Sequence, residues 1–275
     1  MPTTLLPPRP LGAARGRDRT VRVVLTVIAL VAVLLSVGGI AARSIASHIE
    51  ASTYPVVSSR LEAGDPRDLT VTTDVTDIRV IRTDEADEVT LALVDPGTTT
   101  LPAADARLRA RWIRSGDQDS GESVRVKRPL LDGPTTWFRG ESRDLLIAVP
   151  RDTARDLTLR VRSSVGGIDV DGSFAGLDLH ADTGDITASE VSTTGTLRAA
   201  TDVGDIDVSL ADAGAGAIRA TTSTGDISVQ APCCKTWQVD ADSDVGTVDV
   251  DPSLRGGQKT LRTHSDIGDV TVVRR

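Results

Sequence analysis

The chain has 275 residues, with 39 acidic against 31 basic side chains and a formal net charge of −8. With six aromatic residues in all, Val, Ile, Leu and Ala must fill any core, which argues against a conventional layered globule and suits narrow stacked β-coils. The acidic surplus lies in residues 155–275, with 19 acidic and 11 basic side chains, and this excludes nucleic acid as a partner because phosphate binding needs a basic face.

Residues 1–22 combine Pro2, Pro7, Pro8 and Pro10 with Arg9, Arg15, Arg17, Arg19 and Arg22, opposed only by Asp18. This composition predicts a disordered basic tail. Residues 23–42 carry no charge, and at about 1.5 Å per residue they reach about 30 Å, enough to cross a hydrocarbon core. The positive-inside rule then predicts a single-pass protein of the cell membrane, with its N-terminus in the cytoplasm and the rest outside. Ser44-Ile45-Ala46 also resembles a signal-peptide cleavage site, but such peptides have apolar regions of only about 7–15 residues, so the length favours an uncleaved anchor. Residues 43–66 read as an extracytoplasmic linker ending in the turn signal Gly64-Asp65-Pro66.

Residues 67–275 predict one all-β domain. Leu69 to Val80 reads as a degenerate repeat that opens an array, with Thr76 where a Gly is expected. Across residues 88–149 alternation persists without a period: Val89–Val94, Leu108–Trp112, Val124–Lys127 and Leu145–Val149 are strand-like. From 159 to 272 one pattern recurs six times: an aliphatic residue, Gly seven positions on, then Ile or Val two further. The glycines are Gly166, Gly184, Gly204, Gly225, Gly246 and Gly268, spaced by 18, 20, 21, 21 and 22 residues. A period of that size is the mark of a parallel β-solenoid, here of roughly seven coils rising about 30 Å. Gly at each corner fits a positive φ or leaves room where a Cβ has none.

Aligned on the first aliphatic residue, positions +2, +4, +9 and +11 face inward by period-two alternation. The +4 column is Ser163, Ala181, Thr201, Thr222, Ser243, Ser265. The outward +10 column alternates carboxylate with hydroxyl: Asp169, Thr187, Asp207, Ser228, Asp249, Thr271. In-register stacking explains this, because identical acids about 4.8 Å apart would repel. The +1 column (Arg160, Asp178, Arg198, Arg219, Asp240, Arg262) mixes signs in the same way. Both columns are read for coils stacked in chain order.

The run Leu145-Leu146-Ile147-Ala148-Val149-Pro150, then Leu157 to Val161, then the Gly-Asp-Ile-x-Val units, resembles the putative-adhesin family of bacterial domains of unknown function. The resemblance covers residues 67–275. It implies a β-solenoid outside a single membrane span and a place in the cell envelope, and it brings no catalytic residues.

No His-Glu-x-x-His or nucleophile elbow occurs, His48 precedes the repeats, and His180 and His264 fall on outward positions of distant coils, so they predict solvated side chains rather than a catalytic pair. The corner acids Asp185, Asp205, Asp226 and Asp269, with Asp182, Asp202, Asp244 and Asp266 just before such corners, form an acidic edge. Oxygen-rich corners are candidate Ca²⁺ ligands, but the Gly-Gly-x-Gly-x-Asp repeat is absent, and each Asp reads instead as the acceptor of N–H groups at its own turn. Cys233-Cys234 reads as a candidate vicinal disulfide stapling a loop, with intermolecular bridges or free thiols as alternatives. Gly214-Ala215-Gly216 is a turn, not a dinucleotide fingerprint.

The functional expectation is a non-catalytic, membrane-anchored envelope protein that binds or scaffolds an envelope protein or glycan, without a cofactor. The alternatives are an accessory sensor in an envelope-stress system, or a polysaccharide-cleaving β-helix using carboxylates such as Asp207 and Asp249, with Trp237 as the aromatic nearest the exposed side.

Overall fold

The computed structural model describes residues 54–117, 121–127, 143–232 and 237–275. The expected tail (1–22) and membrane span (23–42) lie outside the described residues, as do Cys233 and Cys234. Among the described residues no helix is long and apolar enough to cross a membrane. Tyr54–Arg275 form one compact unit.

That unit is almost entirely β. The chain enters through β1 (Val56–Ser58) and β2 (Arg60–Glu62), both inside the stretch expected as linker. Then follow β3 (Asp68–Val75), β4 (Ile78–Thr83), β5 (Thr90–Val94), β6 (Arg107–Arg109), β7 (Arg111–Asp117), β8 (Gly121–Lys127) and β9 (Asp144–Pro150). A single helical turn, α1 (Arg151–Ala154), precedes the repeats. Each repeat supplies two strands: β10 (Thr158–Val165) and β11 (Ile168–Phe174), β12 (Gly176–Thr183) and β13 (Ile186–Thr193), β14 (Thr196–Val203) and β15 (Ile206–Leu210). β16 (Ala217–Thr224) with β17 (Ile227–Ala231), β18 (Trp237–Val245) with β19 (Val248–Val250), and β20 (Lys259–Ile267) with β21 (Val270–Arg274) complete them.

The first strand of every coil joins a nine-stranded sheet and the second a ten-stranded one. Repeats pair in parallel and in register: Leu159 lies beside Leu177, Leu177 beside Leu197, and Leu197 beside Ile218. On the other sheet Ile186, Ile206 and Ile227 stand in single file. All three are at most 1% exposed, and each such burial stabilises by about 1.5–3 kcal/mol. The two sheets thus enclose one narrow aliphatic core, in a solenoid-like stack.

The degenerate copy is a true coil, with Leu69 beside Leu159 and Ile78 beside Ile168. It does not open the array, however. β8 and β9 form a further coil against it, pairing Val71 with Val124 and Val80 with Ile147. Its period is hidden from sequence because residues 128–143 separate its two strands. Beyond it β7, β5 and β2 pair antiparallel, and β1 pairs with β6. A parallel stack therefore ends in an antiparallel meander.

The order of the last two coils also departs from the chain-order stacking expected. β20 and β21, the final strands in sequence, insert against β16 and β17, and β18 and β19 lie outside them. Leu261, Val270 and Val272 are consequently fully buried, while Val248, which lies beside Val270 at the open end, is 44% exposed. The exchange stacks Arg198, Arg219 and Arg262 as neighbours, against the sign-mixing read from the +1 column. Exposed ion pairs contribute only about 0–1 kcal/mol each, so that column could not decide the order.

Corner glycines make the tight stacking feasible. At Gly225 φ is +148°, and an added Cβ would collide with the Gly204 carbonyl of the neighbouring coil. Gly225→Ala is expected to destabilise the domain by at least about 2 kcal/mol in chemical denaturation, since neither strain nor clash can relax without parting two coils.

Candidate functional site: the corner ladders and the open acidic end

Two hydrogen-bond ladders run up the corner. Inside, hydroxyls of the +4 column donate to the glycine carbonyl of the adjoining coil: Thr201 to Gly184 at 3.0 Å, Thr222 to Gly204 at 3.0 Å, Ser265 to Gly225 at 2.9 Å and Ser243 to Gly268 at 2.7 Å. Outside, the corner acids accept from the next coil. Asp185 accepts from the Asp205 amide at 2.9 Å, Asp205 from that of Asp226 at 2.8 Å, Asp226 from that of Asp269 at 2.7 Å, and Asp269 from that of Thr247 at 2.7 Å. This corrects the expectation of self-contained Asx-turns. The partner lies about 4.8 Å away along the stack, where a short carboxylate reaches more directly than it folds back. Both ladders follow the exchanged order of coils.

Stacked acids repel, and the amide donors offset that repulsion. At Asp269 the bond from Thr247 holds the carboxyl below the ordinary Asp value of 3.8. A depressed value is the opposite of what a general acid needs. With one oxygen of each of these acids bound to a backbone amide of the adjoining coil, the ladder reads as a structural seam.

Both ladders lose a rung at one junction. Gly167 stands where the corner acid would be, and Ala181 where the hydroxyl would be. Asp77 still accepts from the Gly167 amide at 2.8 Å, but Gly167 offers nothing to Asp185. A shallow groove of about 530 Å³ opens there, lined among others by Asp77, Asp144, Asp169 and Asp185.

The open end has a different character. β18 and β19 end their sheets, and apart from Trp237, which bridges Arg255, their outer backbone edge is unpaired among the described residues. Asp240, Asp242, Asp244, Asp249 and Asp251 line this last coil, with no basic residue between Trp237 and Asp251. Charged edges of this kind block indiscriminate strand pairing. Asp242, Asp244 and His264 bring one ligand atom each to within 4.8 Å of one another. These donors already engage neighbours: His264 Nε2 lies 3.0 Å from Asp266 and Nδ1 3.6 Å from Asp242. The cluster is a set of surface polar contacts centred on His264.

His180 likewise bonds Asp182 at 3.1 Å, and three strand steps separate it from His264. Asp207 and Asp249 are also three strand steps apart, about 14 Å, beyond the roughly 9.5 Å limit for an inverting glycosidase pair. Trp237, expected nearest the exposed side, is fully buried and offers no sugar platform. Gly214 and Gly216 lie in the loop after β15, where the Gly214 carbonyl accepts from Lys259 Nζ at 3.1 Å. The interior hydroxyl ladder escaped the sequence reading, although a buried column of Ser and Thr was its signal.

This geometry defines an all-β, coil-stacked domain with an acidic seam. Residues 155–272 match the family model described as Toastrack DUF4097. Among solved structures, a putative cell adhesion protein from Clostridium sporogenes is similar at 10% identity and a TM-score of 0.46, covering 80% of this chain and 100% of its own. A putative adhesin from Bacteroides fragilis is similar at 12% identity and a TM-score of 0.43, covering 80% of this chain and 97% of its own. No curated protein matches the chain.

The broken rung can be restored. A Cβ at Gly167 would meet the Asp185 carbonyl oxygen at 3.4 Å, an ordinary contact. Gly167→Asn, which supplies an uncharged acceptor, is expected to raise stability by about 1 kcal/mol in thermal or chemical denaturation. Asp269 generates a pH dependence. Because its folded value is depressed, its stabilisation is present above the ordinary Asp value near 3.8 and is lost as pH falls through the lower folded value. Asp269→Asn is therefore expected to flatten the acid limb of the stability-against-pH curve below about pH 4, measured by urea midpoints.

Proposed function

We propose that the chain is a non-catalytic, membrane-anchored module of the cell envelope, whose solenoid-like domain binds an envelope component at the open acidic end. The observation that carries this reading is the outermost coil. Interior coils are paired on both sides in both sheets, whereas β18 and β19 present an open main-chain edge beside five carboxylates. An edge of this kind accepts an extended partner by strand addition, with charge selecting a cationic one. The spacing of Asp207 and Asp249 and the burial of Trp237 support binding over glycan cleavage. The resemblance to adhesin-like envelope domains and the apolar stretch 23–42 support the location.

The test is incubation of the full-length protein with purified cell envelopes and cell-wall glycans. Co-sedimentation without new reducing ends is expected, and Asp242→Lys with Asp244→Lys should lower the bound fraction at least about tenfold, with Asp207→Asn leaving it unchanged. Release of reducing ends, or binding indifferent to the charge reversal, would overturn the reading.

A further inference from the structure

The end of the nine-stranded sheet opposite to β18 carries the reverse chemistry. From Ala106 to Gly116 the chain holds Arg107, Arg109, Arg111 and Arg114 and no acid, Asp105 and Asp117 lying just outside. Alternation divides them. Arg114 lies on the other face of the strand, where it pairs with the buried Glu122 and donates to the Glu62 carbonyl at 3.2 Å. Arg107, Arg109 and Arg111 face out, and no acidic partner meets them among the described residues. Ile113 continues the same outward row and is 40% exposed. Opposite Arg109 sits Val56, at 54% exposure, and directly opposed residues of an antiparallel pair share a face. The row is thus basic and apolar together, on a domain whose repeats are acidic.

Its position is equally specific. β1 is the first strand after residues 1–53, and it lies along β6, fixed by Ala110 N–H to Pro55 at 3.3 Å and by Trp112 Nε1 to Ser58 at 3.1 Å. Thirteen residues separate Ala42, the end of the apolar stretch, from Val56. At no more than about 3.5 Å per residue, that connection keeps this row within reach of whatever surface holds residues 23–42.

We propose that Arg107, Arg109, Arg111 and Ile113, with Val56, form a docking strip for an anionic lipid surface. The proposal rests on the membrane-anchored reading above. The guanidiniums meet lipid phosphates, and Val56 and Ile113 enter the headgroup boundary, as on other basic amphipathic surfaces. Docking would set the outward face of β6 and β7 against the bilayer, while the acidic β18 edge, at the other end of the nine-stranded sheet, is repelled by the same lipid charge. Each arginine near such a surface shifts the docked-to-free ratio about fivefold, so three together shift it roughly a hundredfold at moderate salt.

The experiment uses the full chain in nanodiscs of phosphatidylcholine alone or mixed with phosphatidylglycerol, read by amide hydrogen exchange. Slower exchange of residues 54–58 and 107–113 in the anionic discs is expected, reversing at high salt, with core residues 197–208 unchanged as the folding control. In the variant Arg107→Gln with Arg109→Gln and Arg111→Gln the difference between discs should vanish, and Ile113→Ser should reduce it while sparing the salt effect. Equal exchange in both discs, or protection that survives the triple variant, would overturn the proposal. The anchor is read separately, by alkaline extraction of proteoliposomes. A chain released by alkali would refute the anchor, whereas the exchange difference reports docking alone.

Discussion

Parallel backbone pairing in strict register is the constraint from which the rest of the domain follows. Once Leu159, Leu177, Leu197 and Ile218 are held side by side, any chemistry placed at one position of a coil recurs about 4.8 Å further on. Inside, recurrence is favourable and builds a file of aliphatic side chains. At the corner it is hazardous, because acids would stack on acids. The protein resolves the hazard by giving Asp185, Asp205, Asp226 and Asp269 an amide proton from the adjoining coil. Charge is thereby turned into a connection between layers, and the glycine beside each acid keeps the layers close enough for the bond to form.

Function, on this view, belongs where recurrence stops. Interior coils satisfy one another, but the two ends of a stack must meet something else. Here the ends are finished differently. One is an antiparallel meander, β7 on the nine-stranded sheet and β5 and β2 on the ten-stranded one, with outward arginines. The other is a bare coil with a carboxylate fringe. The lack of Lys and Arg between Trp237 and Asp251, and of Asp and Glu between Ala106 and Gly116, polarises a domain whose middle is chemically monotonous.

Much of this was legible beforehand. The Gly period and the inward columns announced coiled stacking, because geometry with one repeating step leaves one repeating trace. Leu69–Val80 was readable as a coil despite Thr76, since its aliphatic spacing survives. The coil made by β8 and β9 was not, because a long connection between its strands erases the period. The exchange of the final coils was equally hidden. The +10 column keeps its carboxylates apart in either order, and the +1 column relies on exposed charges too weak to choose. At the corners residue type was visible but direction was not: an Asp beside Gly suggests a local turn, and only coordinates reveal that its acceptor faces the neighbouring layer.

The exchanged order has a consequence for biogenesis. Coils up to β17 can add one after another as the chain is made, each finding a finished template below it. β18 and β19 cannot, because their template, β20 and β21, has yet to be synthesised when they appear. They wait as an unassembled segment until residues 259–274 slot beneath them, so closure of this end depends on β20 and β21. A ribosome that halts before those strands would leave β18 and β19 without a neighbour to pair with.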